Sequence, residues 1–320
     1  MKKFYYTPTD SGRMFLWSVL APQILGAVFL SVLMFASGTE EAYKGVLENQ
    51  IINVMLTMLA QIAFVIVFFT LNRRTNYVRA CKINIKIGWI NLLVCILIAV
   101  IGVFGINPII SQMDNFLTYI GYDLTTAMPL PLDNFGWFVL NIILLAGVPA
   151  VVEELIFRGV ILNGYKKLGA VPAILISSAL FALIHGSAQQ LLFPFLFGLI
   201  LGFVALKTGS VVSSIVVHFL NNALVVLFNY VGFNYAFNLP IWAEILISLA
   251  MLALTFVIVW VLGNLLKNVD KKKDLSEEDQ QAVLEIQKSQ ISSNQPIIFG
   301  TIIAGLLLIL EFLTGLGVIA

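Results

Sequence analysis

Runs of about 20 consecutive apolar residues, the length at which an α-helix crosses a bilayer, recur along almost the whole chain. They read as nine candidate spans, near 14–36, 51–71, 87–106, 137–163, 171–190, 192–206, 211–229, 241–266 and 297–319. The runs are continuously apolar rather than alternating, which selects helices over a membrane barrel. The expected fold class is therefore all-α, a polytopic membrane helix bundle of about 8–9 transmembrane helices. The 320 residues are 60% hydrophobic and 11% charged. A soluble domain would carry about a quarter of its residues charged, so that class is excluded.

Orientation follows from the basic residues, which concentrate in cytosolic loops. Lys2, Lys3 and Arg13 precede the first span. Arg73, Arg74, Arg79, Lys82 and Lys86 follow the second, and the next cytosolic region is assigned Arg158, at the end of the fourth span, with Lys166 and Lys167. Lys207 comes next, then Lys267, Lys271, Lys272, Lys273 and Lys288. Of the 18 basic residues, Lys44 alone falls in an outer loop. The expectation is a multi-pass protein of the cell membrane with a cytosolic N-terminus. The first span lacks a small-residue cleavage site and reads as a permanent helix. Cys81 falls in a cytosolic loop and Cys95 within a helix, and neither position suggests a disulfide or a C-x-x-C redox pair. A net charge of +1, with its basic loops explained by topology, gives no reason to expect nucleic acid as a partner.

Three regions differ in character. Residues 1–136 form an N-terminal transmembrane region ending in an outer loop, 107–136, broken by Pro129 and Pro131. Residues 137–230 form a four-helix core. Residues 231–320 form a C-terminal transmembrane region interrupted by a cytosolic loop, 267–296, where Ser276 reads as the cap of a short helix.

The core holds polar groups that an apolar helix rarely carries, because an ionisable group at a helix centre in lipid costs at least about 2.5–3.5 kcal/mol. Glu154 and Arg158 are four apart, so they share a helical face and form a natural ion pair. Glu153 points about 100° away and is free for other work. Phe181 and His185 share a face, as do His218 and Asn222. Taken singly, each pair has a plain structural reading: a span end, a packed imidazole, an interhelical hydrogen bond. Together they put two carboxylates, two imidazoles, an amide and a guanidinium on three of four successive helices. Such a set can activate water, with a carboxylate as base and N–H donors stabilising a tetrahedral oxyanion.

The pattern Glu153-Glu154-x-x-x-Arg158, Phe181-x-x-x-His185 and His218-x-x-x-Asn222 resembles the CAAX protease and bacteriocin-processing family, also called Abi, of intramembrane endopeptidases. The resemblance covers residues of about 140–230. It implies that Glu153 and His185 activate the water, with Glu153 as general base. It implies too that Arg158 holds the site through Glu154 while His218 and Asn222 line the oxyanion side. The family has also been described as zinc-dependent, in which case Glu153, His185 and His218 would be the ligands. The sequence lacks an H-E-x-x-H helix, and the favoured reading uses no cofactor. Its substrate would be a peptide or a membrane protein within the lipid bilayer. The alternative is a non-catalytic scaffold of the same fold that binds and regulates a partner such as a cell-wall enzyme. A transporter ranks third, because no internal repeat is visible.

Two further readings concern packing. Gly198 and Gly202 suit a close helix contact. Glu311, inside the last span, stands outside the motif set and reads as a packing or outer-interface residue.

Overall fold

The computed structural model describes residues 5–47, 49–124, 131–233, 239–269 and 294–318, and among these it contains no β-strand. Nine apolar helices account for the nine apolar runs. They are α1 (Pro8–Ser37), α2 (Gln50–Asn72), α3 (Trp89–Tyr119), α4 (Phe135–Leu168), α5 (Ala170–Leu183), α6 (Leu192–Thr208), α7 (Val211–Tyr230), α8 (Ile241–Gly263) and α9 (Gln295–Gly315). Seven are long and apolar enough to cross a membrane; α5 and α6 are shorter. At 14 residues, α5 is only about 21 Å long. The protein is a multi-pass membrane protein.

Outward faces carry large apolar side chains such as Phe35, Leu246 and Trp260, as a lipid-facing surface requires. Inward faces carry small hydroxyls: Ser11, Ser18, Ser177, Ser178, Ser213 and Ser214 are all fully buried. Small polar residues let helices approach closely and supply interhelical hydrogen bonds. Gly198 does the same on α6. A Cβ there would meet the Ser178 Cβ at 3.0 Å and Arg158 Nη2 at 3.1 Å.

Two apolar clusters build the core. One joins α1, α2, α4, α5 and α9 through residues including Phe15, Phe68, Phe157 and Phe181. The other joins α3, α6, α7 and α8 through Ile98, Phe197, Val217 and Val259.

Several boundaries depart from the sequence-based expectation. The outer loop placed at 107–136 begins later, because α3 continues through Pro108 to Tyr119. A proline removes one helical N–H, a loss that transmembrane helices tolerate. The span placed at 171–190 ends at Leu183, where Gly186 adopts φ +61° and stops the helix. The fourth span continues past 163 to Leu168. Arg158, counted among the cytosolic basic residues, lies well inside this helix and wholly buried, and is no marker of a cytosolic region. Cys81, expected in a cytosolic loop, is likewise buried, against the Tyr6 hydroxyl. Pro129 and the helix expected after Ser276 lie outside the described residues.

Candidate active site

α4 carries the carboxylates, and it is not a regular α-helix. Residues Ile142–Gly147 and Leu155–Ile161 are π-helical, and they flank a short α-helical stretch, Val148–Glu154. Such π-turns recur at functional sites because they leave backbone groups without their usual partners. Here the Val148 N–H reaches back five residues to the Ile143 carbonyl, and Pro149 has no N–H for the Leu145 carbonyl. Side chains from two other helices satisfy the vacated oxygens. Gln61 of α2 donates to Leu144, and Asn222 of α7 donates to Leu145 at 3.0 Å. In the second π-turn, Ser177 donates to the Phe157 carbonyl at 2.9 Å, while Asn163 donates to those of Arg158 and Gly159.

The two adjacent glutamates have different surroundings. Glu154 Oε1 accepts from Arg158 Nη1 at 2.6 Å, and both side chains are fully buried. The guanidinium also donates from Nη2 to the Gly198 carbonyl at 3.1 Å, and it lies 4.5 Å from the centre of the Phe181 ring. Glu153 remains 16% exposed and lines a cavity of about 880 Å³. His185, His218 and Asn222 line the same cavity, whereas Glu154 and Arg158 do not.

His218 connects the two carboxylates. Its Nδ1 is 3.1 Å from Glu154 Oε1, and its Nε2 is 3.9 Å from Glu153 Oε2. An ionised carboxylate only accepts hydrogen bonds, so with Glu154 paired to Arg158 the Nδ1 must carry a proton. His185 is set by the same logic. Its Nδ1 is 2.8 Å from the Phe181 carbonyl, an acceptor only, so this nitrogen is the donor and Nε2 remains open.

Phe181 touches more than the sequence suggests. Its ring meets His185 edge-on at 5.1 Å and His218 at 5.8 Å, besides the guanidinium. Phe197, from the second apolar cluster, meets His218 from another direction at 6.0 Å.

All six singled-out residues thus meet around one point, in two layers: Glu153, His185, His218 and Asn222 on the cavity, Glu154 and Arg158 behind it. Residues 135–224 match the family model described as type II CAAX prenyl endopeptidase Rce1-like. The matched segment contains all six. No curated protein and no solved structure matches the chain significantly. The family match agrees with the resemblance read from the sequence and, with the apolar helices, supports a membrane protease in general terms.

Sequence reasoning missed Gln61, an amide isolated in the apolar α2. It also missed the backbone role of Asn222, whose amide is half committed to Leu145. Both bear on a feature that hydropathy does not register, the hydrogen-bonding register of α4. Among the described residues, no three His, Cys, Asp or Glu side chains are grouped so as to hold one metal ion. Glu153, His185 and His218 are therefore not grouped as a zinc site in this structure.

Proposed function

We propose that this protein is an intramembrane endopeptidase that hydrolyses a peptide bond by water activated between Glu153 and His185. The observation carrying this reading is that Glu153 opens onto the cavity with both imidazoles, while its neighbour Glu154 is locked to Arg158. A water held by Glu153 and the open His185 Nε2 attacks the carbonyl carbon, and Glu153 takes its proton. The carbonyl oxygen becomes an oxyanion. His218 Nε2 and the second N–H of Asn222 are the available donors to it. Because Nδ1–H already serves Glu154, His218 donates there only as an imidazolium, for which Glu154 and the developing oxyanion supply countercharge. As the intermediate collapses, the C–N bond breaks and Glu153 returns the proton to the leaving amine, giving a free acid and a free amine.

Arg158 acts through Glu154, and Glu154 through His218. The cavity is bounded by apolar side chains including Phe64, Phe193 and Leu307, surroundings suited to an extended segment of a membrane-associated substrate. The proposed setting is the cell membrane, with the N-terminus in the cytosol. The test compares membrane proteins and released peptides from cells carrying wild type or Glu153→Gln. A substrate fragment present only with wild type is expected; identical profiles would argue for the scaffold instead.

A further inference from the structure

The segment that carries His185 is tied down by a residue far outside the matched region. Residues 184–191 connect α5 to α6 without forming a helix. Near its start, the N–H groups of His185 and Gly186 close back onto Ala182 and Leu183. Near its end, those of Gln190 and Leu191 close onto Ser187 and Ala188. Between these turns the Ala188 N–H points at α9, where it donates to Glu311 Oε2 at 3.0 Å.

Glu311 is itself held. The Tyr122 hydroxyl donates to its other oxygen. The Tyr122 ring stacks on Phe312 at 5.8 Å and packs against Gly315, leaving no room for a Cβ there. The Asp123 N–H adds a bond to the Gly315 carbonyl at 2.8 Å. A carboxylate within an apolar span is costly to keep. Non-helical backbone at membrane depth in turn needs partners for its amides. One contact meets both needs.

We infer that Glu311 is a positioning residue, which fixes the 184–191 segment so that the open Nε2 of His185 faces the cavity beside Glu153. This rests on the peptidase reading of that cavity. It also makes the last helix, well outside residues 135–224, part of what sets the site.

The experiment uses full-length protein in lipid nanodiscs, as wild type, Glu153→Gln, Glu311→Ala, Glu311→Gln and Tyr122→Phe. Hydrogen exchange of peptides covering 184–191 and turnover of a quenched-fluorescent peptide library are both followed. Glu311→Ala should speed exchange at Ala188 and lower kcat about 10–100-fold with KM little changed, since small misplacements near the chemistry cost that much. Glu311→Gln keeps an acceptor oxygen and should restore both. Tyr122→Phe leaves the Ala188 bond in place, so an intermediate effect is expected even if Glu311→Ala folds poorly. Exchange and kcat equal to wild type in Glu311→Ala, or no rescue by Gln, would overturn the inference. Wild type lacking Glu153-dependent turnover would instead defeat the peptidase reading, while exchange would still report on the tether.

Discussion

Asn222 of α7 holds the carbonyl of Leu145 on α4, the oxygen that Pro149 leaves without a helical donor. The bond is a structural counterpart of the chemistry: the same amide borders the cavity and stabilises the irregular helix that carries Glu153. It also makes the contribution of Asn222 to stability depend on a proline four residues from Leu145.

Asn222→Leu should therefore destabilise by about 1–2 kcal/mol through the stranded carbonyl. In a Pro149→Ala background the new N–H can serve Leu145, and the loss should shrink to a few tenths. Thermal unfolding of wild type, the two single variants and the double variant measures this coupling. An equal loss in both backgrounds would show that the Asn222 bond is incidental.

Glu153 and Glu154 should separate into chemistry and structure. Glu153→Gln is expected to abolish cleavage with an unfolding midpoint near that of wild type. Arg158→Ala strands the buried Glu154 carboxylate and should cost about 3–5 kcal/mol as well as activity. Matching stability losses in the two variants would contradict the arrangement.

Exhaustive chelation should leave peptidase activity intact, with substoichiometric zinc in the purified protein. His218→Ala should slow turnover by roughly 10²–10³, the usual loss of an oxyanion donor, without changing metal content. Zinc that restores activity to stripped protein would defeat the metal-free mechanism and leave the protease assignment standing.

Labelling with an impermeant maleimide from outside should modify Asn115→Cys, exposed at the end of α3, and spare Arg74→Cys, exposed after α2. The native Cys81 should resist even in permeabilised cells. Burial pushes its thiol up to about 12, so at neutral pH it stays protonated and unreactive. The reverse labelling pattern would invert the topology. Rapid alkylation of Cys81 would mean that its packing against Tyr6 and Gly159 is looser than described.

Much of this arrangement is legible in the sequence because it depends on periodicity. The spacing of Glu154 and Arg158 gives their ion pair, and the 100° offset of Glu153 gives its separate outlook onto the cavity. The spacing of Phe181 and His185 gives the edge-on ring contact. What is not legible depends on groups that spacing does not constrain. The contact of His218 with Glu154 crosses two helices. The helical continuation through Pro108 and the early stop at Leu183 are invisible to hydropathy, which weighs side chains and not backbone partners. Gln61 and Glu311 gain meaning only when the oxygens and amides they meet are known. Each is a solitary polar residue in an apolar run, and that isolation was the available signal.

The brevity of α5 has a consequence for the lipid around it. A helix of about 21 Å leaves some 9 Å of a typical hydrocarbon core uncovered. The Gln189 and Gln190 side chains of the following segment line the cavity, so this depth is bordered by polar groups rather than by a lipid-facing helix. A bilayer adapts to such a hydrophobic mismatch by thinning locally. A bilayer thinned in this way is expected to leave less hydrocarbon between water and Glu153 beside α5 than elsewhere along the bundle.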